Sequence, residues 1–264
     1  MSTVVAPRTD RGLGRTVQAE WIKLASTRST WWTSLLMIVV GAGFTIVVCG
    51  LVANDMANGT NGDPPGEYIT QGLIFSQISA VVLGALVVTS EYGTGLIRST
   101  LAATPIRSTV LAAKAIVLSG FLFVVGVVTA FIGYFGGNAF FRHAGVGISL
   151  GDPHILRSLI GAGLYMAGLG VLAAAIGRLV RSTAAAISIG LPLIFIIGQV
   201  VQLIPGTVGE WITKLMPGNA GPPIVVPVDF GEHMLGPWTG FAVFVAEIAV
   251  LSVAALALFQ KRDA

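Results

Sequence analysis

Residues 90–114 read SEYGTGLIRSTLAATPIRSTVLAAK, and this stretch decides how the rest of the chain is interpreted. It is polar and basic, and it lies between two long apolar runs. Its charged residues are Glu91, Arg98, Arg107 and Lys114. A segment of this composition is too polar to cross a lipid bilayer, so we expect it to connect two segments that do cross.

The composition of the whole chain is that of an integral membrane protein. Apolar residues make up 54% of its 264 residues, charged residues make up 10%, and the mean hydropathy is +0.85. A soluble domain carries about 25% charged residues, so most of this surface is not expected to face water. The net charge of +3 is not gathered in a soluble basic domain, which argues against nucleic acid as a partner.

Six apolar runs are long enough to cross a bilayer, since a span needs about 20 residues. The predicted fold is therefore an all-α integral membrane protein with six transmembrane helices, forming a single transmembrane domain over residues 1–264. The predicted spans cover about 31–52, 71–89, 110–135, 156–177, 183–204 and 237–259. Residues 1–12 are polar without a period and are predicted to be a disordered tail.

Residues 13–30 are predicted to form an interfacial helix, which lies in the plane of the membrane surface. An apolar stripe recurs there at helical spacing: Leu13, Val17, Trp21 and Leu24. The polar residues that fall away from this stripe are Arg15, Glu20, Lys23 and Thr27. The alternative is that this segment is a charged extension of the first span.

The distribution of lysine and arginine predicts the orientation of the chain. Six spans place both termini on one side, and twelve of the 15 basic residues fall on that side: Arg8, Arg11, Arg15, Lys23, Arg28, Arg98, Arg107, Lys114, Arg178, Arg181, Lys261 and Arg262. The other three are Arg142, Arg157 and Lys214. Because basic loops stay in the cytoplasm, both termini and the opening stretch are predicted to be cytoplasmic.

Within the opening stretch, a short helix is predicted to lie across the cytoplasmic face. Ser90 would cap this helix, Glu91 would begin it, and Pro105 would end it. Arg98 and Arg107 would then be exposed to the cytoplasm. The alternative is a basic loop that only fixes the topology.

The chain is not expected to be an enzyme. A P-loop needs glycine directly before its lysine, and none of the four lysines follows glycine. The histidines near the predicted outer loops, together with Asp152, match no metal-ligand spacing, so no metal is expected.

Glu247, near the middle of the last apolar run, is the main candidate for a substrate path. A carboxylate at the bilayer centre costs about 2.5–3.5 kcal/mol on insertion, so such residues often have a function. Gln199 and Gln202 lie three residues apart on the fifth run and are candidate partners on the same path. The alternative is that Glu247 is protonated and holds two helices together.

The opening stretch resembles the cytoplasmic elbow of ABC-2 type transporter permeases. The shared pattern is E-Y-x-x-G-x-x-R-x-T followed by A-T-P-x-R-x-x-x-L-x-A-K. In this chain the pattern is carried by Glu91, Tyr92, Gly95, Arg98, Thr100, Ala103, Thr104, Pro105, Arg107, Leu111, Ala113 and Lys114. The stretch AEWIKLASTRSTWW, residues 19–32, also resembles the start of these permeases, particularly those of high-GC Gram-positive bacteria.

The resemblance implies the permease subunit of an ATP-driven exporter in the bacterial plasma membrane. Such permeases pair as homodimers or related heterodimers, and each copy binds a separate ABC ATPase subunit at a coupling helix between spans 2 and 3. ATP and Mg would be bound by that partner, and no cofactor is expected on this chain. The residues implied in docking the ATPase are Glu91, Tyr92, Gly95, Arg98, Thr100, Pro105 and Arg107.

The resemblance also implies short re-entrant helices in residues 207–236, before the last span. Two other classes of protein remain as alternatives. One is a stand-alone secondary transporter or channel, and the other is a membrane immunity or binding protein. Neither alternative gives residues 91–114 a role.

Overall fold

The computed structural model describes residues 12–96, 106–228 and 234–261, and the regular structure within these residues is helical. Five of the helices described there are long and apolar enough to cross a membrane. They are α2 (Arg28–Ala57), α3 (Leu73–Gly93) with the 3-10 turn Pro65–Thr70 before it, α4 (Arg107–His143), α5 (Ile155–Val180) and α10 (Pro237–Lys261). The shorter helices are α1 (Leu13–Ser26), α6 (Thr183–Phe195), α7 (Ile197–Val201), α8 (Thr207–Leu215) and α9 (Pro217–Ala220).

The long helix α4 overruns its predicted span. The third predicted span ends at about residue 135, but the helix continues to His143 and is 37 residues long. The glycines there permit a close helix contact instead of a turn, since a Cβ atom on Gly137 would lie 2.7 Å from Sγ of Cys49 on α2. The predicted boundary at Phe135 is therefore wrong.

The fifth predicted span, residues 183–204, is divided into two helices. Ser182 caps α6, because its Oγ accepts a hydrogen bond from the backbone N–H of Ala185 at 3.4 Å. Pro192 lies inside α6 and has no N–H to continue the helix, and the break follows at Ile196. With 13 residues, α6 alone is shorter than the roughly 20 residues that a span needs.

The segment before the last long helix forms short helices, as the resemblance implied. α8 and α9 are followed by a 3-10 turn over Pro222–Ile224. The Arg157 guanidinium, on α5, donates hydrogen bonds to the carbonyl groups of Pro223 at 3.3 Å and Val226 at 3.2 Å. These bonds tie the irregular segment to the centre of the bundle.

The core lies around α5, which is the most enclosed of the five long helices and packs against α3, α4 and α10. Glycines allow the backbones of α3 and α5 to lie very close together. A Cβ atom on Gly84 would lie 2.2 Å from the carbonyl oxygen of Gly170, so only glycine fits there. Small residues let two helix backbones approach closely in this way.

Contacts bring several helix ends together at one end of the bundle, which we call the basic end. The end of α3 meets the start of α6 where the Thr89 and Thr183 hydroxyl groups lie 2.6 Å apart. Arg107, the first residue of α4, donates to the carbonyl of Phe259 near the end of α10. Helix α1 is joined to α4 at this same end by ion pairs. The basic end therefore includes the flanks of the opening stretch.

Candidate functional site

Four charged side chains form a cluster that joins α1, α3 and α4 at the basic end. Lys114 Nζ donates to Oε2 of Glu20 at 2.7 Å and to Oε1 of Glu91 at 2.9 Å. Lys23 Nζ donates to Oε1 of Glu20 at 2.8 Å and to Oε1 of Glu91 at 3.1 Å. Two lysines thus bridge two carboxylates, and we call these four residues the ion-pair cluster.

Three members of the ion-pair cluster are buried and one is accessible. Glu20, Glu91 and Lys114 are 4%, 7% and 6% exposed, whereas the Lys23 side chain is 45% exposed. A buried ion pair is costly to break, because removing one partner leaves the other charge buried and uncompensated, at about 3–5 kcal/mol. The Lys114 pairs therefore hold the three helices together more strongly than those of Lys23, since an exposed pair contributes about 1 kcal/mol or less.

The ion-pair cluster shifts the pKa values of its two members on α1, Glu20 and Lys23. Burial by itself would raise the pKa of Glu20, but the Lys114 and Lys23 ammonium groups outweigh it and hold the pKa of this carboxyl below its ordinary value. Burial would lower the pKa of Lys23, but its bonds and attraction to Glu20 and Glu91 outweigh that effect and raise it. Both groups are therefore charged at neutral pH.

Helix α1 packs on the bundle through a face that includes the charged residue Glu20. Its buried residues are Thr16, Glu20 and Leu24, four residues apart, while Trp21 is exposed. Glu20 was predicted to lie away from the apolar stripe, and its burial against the bundle was not predicted. The physical reason is that α1 packs on α4, where Lys114 supplies a buried charge partner.

Glu91 does not begin a new helix. Helix α3 continues through Ser90 and Glu91 to Gly93, so the predicted cap at Ser90 and helix start at Glu91 are wrong. The Glu91 carboxylate is neutralised by the two lysines of the cluster and does not need a helix N-terminus. Its position in the last turn of α3 places it next to the segment predicted to dock a partner.

The other predicted docking residues surround the same end. Tyr92 is half-buried, and the Arg181 guanidinium carbon lies 5.3 Å from the centroid of its ring. Gly95 is exposed and has φ +72°, a backbone conformation that favours glycine. Arg107 lies 5.0 Å from the Phe259 ring centroid. The remaining predicted residues, Arg98, Thr100 and Pro105, lie outside the described residues.

A cavity of about 300 Å³ adjoins the ion-pair cluster between α1, α2, α3 and α4. The charged residues of the cluster line one wall, and Leu83, Val117 and Leu118 line another. Hydroxyl groups at the junction of α1 and α2 complete the lining, including that of Thr30. The ion-pair cluster therefore borders a cavity whose other lining residues are largely uncharged.

A second charged feature lies beside the cluster. The fourth predicted span ends at about residue 177, but α5 continues to Val180, so Arg178 is helical and only 8% exposed. Its Nη2 is buried and has no hydrogen-bond partner. The apolar run before Arg178 continues without a helix-breaking residue, and this continuity could have predicted that Arg178 is helical.

The residues predicted to form a substrate path are Glu247, Gln199 and Gln202, and neither glutamine hydrogen-bonds Oε2 of Glu247. Oε2 of Glu247, on α10, is enclosed and has no hydrogen-bond partner. Gln199 on α7 and Gln202 just after it are both exposed. Neither glutamine therefore partners that oxygen, and a path through these residues stays a prediction.

The helices and the charged end define a multi-pass helical membrane protein. Residues 16–199 match the family model described as ABC-2 family transporter protein, which is more than two thirds of the chain and includes the whole ion-pair cluster. The chain belongs to this family of membrane transport components, as the resemblance of residues 91–114 predicted. No curated protein matches the sequence closely enough to name as a relative.

Proposed function

We propose that this chain is the permease subunit of an ATP-driven exporter and that the segment between α3 and α4 docks a separate ABC ATPase. The observation that carries the proposal is the ion-pair cluster, which joins the two helices flanking that segment to each other and to α1. Leu96 and Ile106 are 55% and 52% exposed at the two edges of the segment. Apolar side chains exposed at a polar surface suit a protein contact.

The cluster would transmit force from the docked ATPase. Lys114 lies two turns into α4, and Glu91 lies in the last turn of α3. Lys114 pairs with both Glu20 and Glu91. A movement of the docking segment would therefore reach α1, α3 and α4 together. ATP and Mg are bound by the partner in this proposal.

We propose six spans, with α6 and α7 together forming the fifth crossing. The twelve-to-three distribution of basic residues supports cytoplasmic termini in a bacterial plasma membrane. Trp21, Trp31 and Trp32 are exposed near the junction of α1 and α2, and tryptophan favours the headgroup level. These positions support an interfacial placement of α1.

We also propose that two permease copies, identical or related, form the transporter. The outer face of α10 carries exposed apolar residues such as Trp238, Val250 and Val253, which suit lipid or a second copy. Glu247 with Gln199 and Gln202 remains the proposed substrate path. A half-buried carboxylate with an unpartnered oxygen inside a long apolar helix supports this role for Glu247.

Replacement of the docking segment tests the proposed function. Residues 96–106 are exchanged for a Gly/Ser segment of the same length, which leaves Glu91 and Lys114 in place. The variant is co-expressed with each candidate ABC ATPase, and the amount of ATPase that co-purifies is measured. We expect loss of co-purification with an unchanged melting temperature.

A matched control exchanges residues 145–151, in the loop at the opposite end of α4, in the same way. This variant is expected to retain the ATPase. Retention of the ATPase by both variants would show that docking does not use residues 96–106.

A further inference from the structure

Arg178 is a buried cation that the proposed function does not use. Its Nη2 has no hydrogen-bond partner although the side chain is more than nine-tenths buried. Leaving a buried charged donor unsatisfied costs more than leaving a neutral one, so such a group calls for a ligand. Arg178 lines a small cavity of about 20 Å³ with Tyr92, Glu91 and Phe259. A volume of that size holds about one water molecule.

Two further guanidinium groups lie beside this cavity. The phenol of Tyr92 lies within the electrostatic influence of Arg181, Arg178 and Arg107. Arg181 lies over the Tyr92 ring, and Arg107 lies over the ring of Phe259, which also lines the cavity. Arg181 and Arg107 are half-buried, so neither residue is fully enclosed by the protein.

The backbone at this place is also arranged for an anion. Helix α6 begins at Thr183, directly after Arg181, and α4 begins at Arg107. Helix N-termini carry partial positive charge and unpaired N–H groups, which favour phosphate. Arg181 itself has φ +54°, a left-handed conformation that is uncommon for a residue with a side chain and that clusters at ligand sites.

We propose that Arg178, Arg181 and Arg107 form a phosphate-binding site at the basic end, occupied by the headgroup of an anionic phospholipid. Guanidinium groups bind phosphate oxygens in a bidentate manner, and basic pockets between membrane helices bind anionic headgroups. The three residues lie at the ends of apolar helices, which is the depth at which headgroups lie. The phosphate sits at the cavity mouth between Arg107 and Arg181, and a phosphate oxygen or a bridging water reaches Arg178.

Two variants remove charge from this site. Arg181→Gly places glycine at the left-handed position, where it is the favoured residue. Arg178→Met replaces the buried guanidinium, whose Nη2 has no hydrogen-bond partner, with an apolar side chain. Arg28→Ala removes an exposed arginine from the start of α2 and serves as the matched control.

The test measures the melting temperature of the purified full chain in detergent with added lipid. The probes are phosphatidylglycerol, phosphatidylcholine with the same acyl chains, and inorganic phosphate without lipid. We expect phosphatidylglycerol to raise the melting temperature of the wild type and of Arg28→Ala by about 5 °C more than phosphatidylcholine does. Arg178→Met and Arg181→Gly are expected to lose at least half of this difference, with about tenfold weaker apparent affinity.

Each other outcome is decisive. If inorganic phosphate alone stabilises the wild type and not Arg181→Gly, the phosphate site is supported and its source is solution. Equal responses to the two lipids in the wild type, or equal shifts in all four proteins, would overturn the proposal. Loss of a co-purifying ATPase in Arg181→Gly with an unchanged lipid response would also overturn it and assign the arginines to a protein interface.

Discussion

At the scale of single residues, the difference between Lys114 and Lys23 gives the sharpest prediction. Both lysines bind the same two carboxylates, but only Lys114 is buried. Lys114→Met is expected to cost about 3–5 kcal/mol of unfolding free energy, because it leaves two buried carboxylates with one exposed partner. Lys23→Met is expected to cost about 1 kcal/mol or less.

Denaturant titration of the detergent-solubilised protein measures both costs. The variant with Lys114→Met, Glu20→Gln and Glu91→Gln serves as a rescue control, since it removes the uncompensated charges. It is expected to be more stable than Lys114→Met alone. Equal costs for the two single lysine variants would contradict the assignment of Lys114 as the central residue of the cluster.

The pKa of Glu20 predicts an acid limb in the stability profile. Because its folded-state pKa lies below the ordinary value of 4.5, its contribution is complete above about pH 4.5 and is lost as the pH falls through the lower folded value. The raised pKa of Lys23 has the opposite sign, so its smaller contribution is complete below about pH 10.5 and is lost as the pH rises through the higher folded value.

Melting temperature measured against pH checks this prediction. Glu20→Gln is expected to lower stability at neutral pH and to flatten the acid limb. Glu210→Gln, which changes an exposed carboxylate on α8, should keep the wild-type profile. Parallel acid limbs in the wild type and Glu20→Gln would show that the carboxylate contributes nothing through its ionisation.

The sequence identified part of this site at the residue scale. Glu91, Tyr92, Gly95 and Arg107 were singled out, and the structure places all four at the basic end. The burial of Glu20 was not predicted, because helical periodicity ranks residues by polarity and cannot detect a charge partner 94 positions away. Sequence spacing carries no information on such a pair until the helices are packed.

At the scale of elements, the close contact between α3 and α5 depends on one glycine. Gly84→Ala is expected to lower the unfolding free energy by about 1–3 kcal/mol, since its Cβ would lie 2.2 Å from the Gly170 carbonyl oxygen. Gly120→Ala is the matched control, because a Cβ atom there meets nothing within 4 Å. It should gain about 0.5–1 kcal/mol from helix propensity. Equal effects in thermal or denaturant unfolding would contradict the packing of these helices.

Element positions were more predictable than element ends. Long apolar runs predicted α2, α3, α4, α5 and α10, because a helix satisfies the backbone hydrogen-bonding groups within one segment in lipid. The ends of α4 and α5 were missed, since Gly137 and Arg178 are residues that normally mark loops. Gly137 remains helical because α2 packs closely against it. Arg178 remains helical with its side chain lining a buried cavity.

At the scale of the whole molecule, the chain concentrates its buried charge at one end. The ion-pair cluster and Arg178 lie beside the segment that connects α3 and α4. At the opposite end, the neutral side chain of Asn138 bonds the backbone N–H of Ile148 at 2.9 Å and its carbonyl at 2.6 Å, and the half-buried Arg157 guanidinium bonds backbone carbonyl groups. The buried charge therefore lies at the end where the docking of an ATPase is proposed.

The proposed function requires that an ATPase docks between α3 and α4. Photo-crosslinking from single introduced thiols tests it directly, because the only native cysteine, Cys49, is buried. A thiol-reactive photo-crosslinker is attached to Leu96→Cys, Ile106→Cys or His143→Cys, the last two lying at opposite ends of α4. The account predicts cross-links to the co-expressed ATPase from positions 96 and 106 and none from position 143. Cross-links from position 143 alone, or from none of the three with the ATPase bound, would contradict it.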